Sequence, residues 1–164
     1  MIKRSVRNTV RAIYVHACGY CGLTETDAGA ELTIDHFRPL DKDGTNDLDN
    51  LVYACAACNQ FKSTAWSLID SPVLHPLHEK IQSHMVERDD GMLEGLTDAG
   101  VRHIDTLHLN RPPLVLRRQN QQVLKTVLEQ NADALVRLAR LERSLDRLTR
   151  AVLKSVLEDK PRRM

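Results

Sequence analysis

A chain of 164 residues, 42% hydrophobic and 27% charged, has the length for one cored domain or for a small module with a helical appendage, and leaves little room for two full domains. Those proportions exclude disorder as the default, while one Trp, three Tyr and two Phe require a mainly aliphatic core. The net charge of +1 conceals a segregation, with residues 1–17 at +4, 18–58 at −6, 59–111 at −3 and 112–164 at +6, so an acidic centre lies between basic ends. This distribution suits a metal-binding centre flanked by phosphate-contacting segments, although a near-neutral total does not by itself argue for nucleic acid.

Residues 2–17 are predicted to form a helix, because Ile2, Val6, Val10, Ile13 and Ala17 recur at three or four residues. The segment is basic but has no apolar signal region, and no stretch approaches 18 consecutive apolar residues, so a cytoplasmic protein without a membrane span is expected. From Cys18 to Asn50 the chain breaks into short pieces punctuated by glycines and acidic turns, with strands expected at Glu31 to Asp35 and around Leu51 to Tyr53. A helix beginning near Ala56 should run past Trp66. Beyond Ser71-Pro72, the stretches around Met85 and Leu93 flank Asp89-Asp90-Gly91 as a hairpin. Thr97 or Asp98 should then cap a short helix carrying Val101, Ile104 and Leu107, stopped by Asn110-Arg111-Pro112-Pro113.

Leu114 to about Glu158 contains neither Gly nor Pro, and leucines and valines recur from Leu124 through Leu128, Leu135, Leu138, Leu141, Leu145 and Leu148 to Val152 and Val156. This predicts one long amphipathic helix, or two without an evident turn, with a slip of heptad phase between Leu138 and Leu141. Arg137, Arg140, Arg143, Arg147, Arg150 and Lys154 fall opposite the apolar stripe. Arg143 and Arg147 are candidate phosphate contacts, and a solvated charged face is the competing account. The stripe is expected first to pack within the chain, with a homodimer or a partner subunit as the other possible uses.

Cys18-Gly-Tyr-Cys21 and Cys55-Ala-Ala-Cys58 are the chain's only cysteines, in two C-x-x-C pairs separated by 33 residues. Two intervening residues let both thiolates of a pair meet one ion, and in a reducing compartment four such cysteines serve better as metal thiolates than as disulfides. Four sulfur ligands leave no open coordination position, so Cys18, Cys21, Cys55 and Cys58 are predicted to hold structural zinc.

Between and after these pairs run Asp35-His36-Phe37-Arg38-Pro39, Gly44, Asn50, and Asn59 with Lys62. Phosphodiester hydrolysis needs a base for water and a hard cation for the charged transition state. An ordinary imidazole, with a pKa of about 6.5, is mostly neutral at pH 7 and can take that proton, while Asp and Asn oxygens suit magnesium or manganese. If Asp35 and His36 end a strand, their side chains diverge and can address ion and water separately. On a helix, Asn59 and Lys62 share a face.

In order and enclosure these residues resemble the HNH endonucleases, the ββα-metal nucleases, in the subgroup with a four-cysteine zinc site and Asn at the last motif position. The resemblance covers about 45 residues and implies His36 as general base, Asp35 and Asn59 as ligands of a catalytic magnesium or manganese ion, and Asn50 as the residue fixing the loop and the imidazole. It also implies endonucleolytic cleavage of DNA to 3′-hydroxyl and 5′-phosphate ends. Lys62 and Arg38 are candidate contacts to the nucleic acid, Arg38 with a salt bridge to Asp41 or Asp43 as its alternative. Many family members carry Gly-Gly after the Pro, where this chain has Leu40-Asp41-Lys42-Asp43-Gly44. Compact nucleases of this kind occur in bacterial mobile-element and anti-phage systems, the setting the resemblance implies. The competing class is a noncatalytic zinc-dependent module that binds nucleic acid or protein.

The expected architecture is α+β: a zinc-bound ββα-metal centre with an N-terminal helix and a long C-terminal helical region. Domain boundaries are placed at 1–111 for the nuclease, with its core motif at 18–66, and 112–164 for the helical region. His75, His78, His84, His103 and His108 are expected to be structural or surface residues.

Overall fold

The structure is a computed structural model that describes residues 2–63, 65–67, 69 and 71–158, the side chains of 152, 153 and 155–158 excepted. It is a mixed α+β chain that falls into two compact units, Met1–Gln119 and Asn120–Met164.

Helix α1, Arg4–Ile13, buries Val10 and packs on the strand that leads into the second cysteine pair. It is shorter than its periodicity predicts. Tyr14 closes it, and Val15 and His16 take positive φ angles of 50° and 59°, turning the chain back toward Cys18. A single-turn helix α2, Glu25–Ala28, was not expected. Thr24 and Asp27 form a capping box at its start, and Gly29 at φ 65° ends it.

Strands β1, Thr33–His36, and β2, Leu51–Ala54, pair antiparallel with Asp35 opposite Val52 and His36 opposite Leu51. β1 starts two residues later than predicted because the Leu32 amide donates to the Tyr53 hydroxyl at 2.8 Å. All four residues of β2 are buried. Helix α3, Ala56–Lys62, packs on β1 and stops well before Trp66. The early stop has a local cause: Ser63 adopts φ 45°, which breaks the helix without a Gly or Pro to announce it, and the Trp66 ring instead lies 4.8 Å from the Arg38 guanidinium.

The hairpin forms as expected from β3, Met85–Glu87, and β4, Leu93–Gly95. Thr97 caps helix α4, Asp98–Thr106, by accepting from the Gly100 amide. Gly100 is required there by packing, since a Cβ would fall 1.8 Å from the His84 carbonyl oxygen. The Asn110 amide bonds both the N–H and the C=O of Leu93, joining the hairpin to the loop after α4. The two prolines then open α5, Pro112–Glu158, in the first turn, where a missing N–H leaves no hydrogen bond unmade.

The second unit, taken alone, is the 120–158 part of α5, one unbroken helix rather than two. Within this unit by itself, Leu124, Leu128, Leu135, Leu138, Leu141, Leu145 and Leu148 are exposed. The side chains of Val152 and Val156 lie outside the described residues. No helix among the described residues is long and apolar enough to cross a membrane.

Two histidines are built into the core. His75 Nε2 donates to the Asp49 carbonyl at 2.8 Å and its Nδ1 accepts from the Leu77 amide, while buried His103 accepts the Leu74 amide on Nδ1. Burial lowers the pKa of each to about 4, helped by the nearby His78 and His84 respectively. Unfolded imidazoles titrate near 6.5, so the stability these neutral rings contribute is complete above that pH and is lost as pH falls toward 4. Chemical denaturation between pH 7 and 4.5 should therefore show a loss of a few kcal/mol that begins while zinc is still retained. Constant stability down to pH 5 in zinc-loaded protein would remove this account.

Candidate nuclease site

The first cysteine pair sits on a knuckle closed by Cys18 N–H to Leu23 O and Gly22 N–H to Cys18 O, with Gly22 at φ 70°. Gly19 anchors that knuckle to β2 through the Tyr53 carbonyl at 2.8 Å, and its missing Cβ leaves room for the Tyr14 ring. The second pair opens α3, where Cys55 is the N-cap and its sulfur accepts from the Cys58 amide. The positive end of the helix favours thiolate at that position.

All four sulfurs lie within 4.8 Å of one another, and those of Cys21 and Cys55 are 3.8 Å apart. A tetrahedron with zinc–sulfur bonds of about 2.3 Å has edges of about 3.8 Å, so the cluster is compatible with zinc. Arg111 adds a charge: its Nη2 lies 3.9 Å from the Cys55 sulfur and 3.7 Å from that of Cys58, while Nη1 donates to the carbonyls of Leu107 and His108.

The alternation of β1 sends Asp35 and His36 to opposite faces. Asp35 is 6% exposed and faces α3 and the zinc knuckle. Its Oδ2 accepts the Tyr20 hydroxyl at 2.6 Å and lies 3.1 Å from Lys62 Nζ, which also approaches Oδ1 at 3.3 Å and donates to the His36 carbonyl at 2.9 Å. Burial raises the Asp35 pKa above the ordinary carboxylate value, and the Lys62 charge and both hydrogen bonds pull against it. Tyr20 is pushed well above the usual phenol range by burial and by the Asp35 charge, so it remains a donor.

His36 Nε2 meets the Asn46 side-chain oxygen at 2.9 Å. An amide oxygen only accepts, so with the Asn46 amide in this orientation the matching tautomer has its proton on Nε2 and its lone pair on Nδ1. Asn50 closes the intervening loop at three points, accepting from the Arg38 amide and donating to the Arg38 and Thr45 carbonyls. Asn59 projects from α3 toward β1 and donates to Thr33 Oγ1 at 3.1 Å, which leaves its Oδ1 as the accepting end.

Residues 18–64 match the family model for HNH endonuclease. No curated protein gives a significant match to the chain.

Within the HNH segment, Asp35, Lys62 and the His36 backbone are brought together, and Asn59 faces the same strand two residues away. Lys62, expected near phosphate, has no exposed side-chain surface and is committed to Asp35. Arg38 is held by the Lys42 carbonyl and by Asp43 at 3.3 Å, the salt-bridge alternative. Asn50 holds the loop, but Asn46 holds the imidazole. Arg143 and Arg147 belong to the second unit. Asn46, Tyr20 and Arg111 were missed: Tyr20 is a spacer in the C-x-x-C pattern, Asn46 lies in a loop of no fixed spacing, and Arg111 was visible only as part of a helix breaker.

Proposed function

We propose that the chain is a metal-dependent HNH endonuclease that hydrolyses phosphodiester bonds of DNA. The observation that carries this is the divergence of Asp35 and His36 from adjacent positions of β1, with Asn59 on the facing helix and the imidazole Nδ1 left as a proton acceptor. His36 takes a proton from water, oriented by Asn46, and Asn50 keeps the loop that carries Asn46 closed. The Asp35 carboxylate and the Asn59 Oδ1 would hold magnesium or manganese, which supplies charge neutralisation at the phosphate and the leaving oxygen. Among the described residues only the four cysteines form a cluster of three or more His, Cys, Asp or Glu ligands. Two protein oxygens suit an ion that keeps several waters, as magnesium does. The four thiolates suit zinc in a reducing, cytoplasmic setting.

The test is cleavage of supercoiled plasmid by zinc-loaded protein with and without magnesium. Products with 3′-hydroxyl and 5′-phosphate ends, absent in chelator, are expected. No cleavage with either magnesium or manganese would favour the noncatalytic zinc-dependent binding module, whose support is that the Lys62 ammonium already neutralises Asp35.

DNA binding requires positive charge, because the 18–58 segment at −6 repels phosphate. The exposed arginine face of α5 supplies it, opposite the exposed leucine stripe that a second copy or a partner subunit would cover. Arg143→Glu with Arg147→Glu should weaken binding to unrelated sequences alike and flatten the log–log salt slope by roughly two. An unchanged slope with helicity intact would return the face to solvent, and altered sedimentation would assign the helix to assembly.

A further inference from the structure

The zinc knuckle and the catalytic strand meet at one hydrogen bond, from the Tyr20 hydroxyl to Asp35 Oδ2 at 2.6 Å. We propose that Tyr20 is a positioning residue for the divalent ion, transmitting the rigidity of the four-cysteine cluster to the carboxylate that would hold that ion. The inference rests on the nuclease function proposed above.

Tyr20 lies between Cys18 and Cys21 and is 5% exposed. The knuckle's backbone is tied on both sides, by Cys18 N–H to Leu23 O and by Gly19 N–H to Tyr53 O, both at 2.8 Å. The phenol therefore reaches Asp35 from a base that zinc would hold, and a ring with two torsions adds little freedom of its own. Asp35 is held on its other side by Lys62, which spans both oxygens and the His36 carbonyl.

The two partners differ in what they do to an incoming cation. A carboxylate offers about four lone-pair positions. Lys62 occupies part of that set with a full positive charge and opposes a divalent ion, whereas the neutral Tyr20 hydroxyl fixes the plane of the carboxylate without repelling one. Without Tyr20, the Asp35 carboxylate turns toward the ammonium and the ion loses a preset ligand. Partners of metal ligands typically change affinity about 10–100-fold when removed.

The experiment is manganese binding by the zinc-loaded full chain, read from the electron paramagnetic resonance signal of free Mn²⁺, with zinc content and melting temperature measured on the same samples. Tyr20→Phe should bind manganese about tenfold or more weakly with zinc stoichiometry retained, and replacing Tyr20 by 4-aminophenylalanine, which restores a donor at the same reach, should recover most of the affinity. Wild-type manganese affinity in Tyr20→Phe overturns the proposal and leaves the nuclease function standing. If Tyr20→Phe loses zinc, the 4-aminophenylalanine protein decides: full zinc without recovered manganese affinity also overturns it. A wild-type chain that binds no manganese and cleaves no DNA overturns both.

Discussion

His36→Ala is expected to lower plasmid cleavage by about 100-fold or more while zinc content, helicity and DNA affinity stay at wild-type levels. The selectivity of this loss follows from where the ring sits. His36 is on the opposite face of β1 from Asp35, and its side chain makes its hydrogen bond to Asn46 in the loop and none to the cysteine cluster. Truncation removes one proton acceptor and one loop contact, while the carbonyl of residue 36 continues to receive Lys62. Single-turnover cleavage at saturating DNA isolates the chemical step. Near-normal cleavage by zinc-replete His36→Ala would exclude the imidazole as the base.

Cys58→Ser should act in the reverse order, with metal and fold lost before any chemical step can be measured. Cys58 is fully buried in α3, the same helix that carries Asn59 and Lys62, and Cys55 caps it. β1 and β2 have only four residues each, too little sheet to hold its register alone. Structural zinc contributes about 10–16 kcal/mol of apparent binding energy in small zinc-dependent folds, so a missing ligand costs a large part of what holds this segment. About one zinc per chain is expected in wild-type protein, with sharply reduced zinc and a lower melting temperature in the variant. Elemental analysis finding no metal in folded, cysteine-reduced wild type would sink the zinc assignment.

Features set by local chemistry were legible in the sequence. The cysteine spacing located the cluster, the Asp89-Asp90-Gly91 turn located the hairpin, and the choice of Thr97 or Asp98 as helix cap resolves to Thr97 through its bond to Gly100. Boundaries set by tertiary contacts were not. α3 ends at a Ser with positive φ, and the chain turns away after α1 and its cap Tyr14 at a Val and a His that also have positive φ, residue types that carry no breaker signal. The site divides in the same way. The Asp, His and Asn side chains suited to the proposed hydrolysis stood out in the chain, whereas Tyr20 and Asn46 became visible only through the partners that the fold gives them. Lys62 is the instructive case, because its helical spacing from Asn59 said which face it occupies and nothing about whether Asp35 would bury it.

The position of Arg111 along the chain has a consequence for biosynthesis. All four sulfurs are present once residue 58 has emerged from the ribosome, but the guanidinium that lies against Cys55 and Cys58 comes 53 residues after the last of them. At roughly 5–20 residues per second that interval is on the order of several seconds. During it the four cysteines are available to a metal ion without the guanidinium that lies against Cys55 and Cys58 in the folded chain, and they gain it only when the residue after α4 that carries it is released.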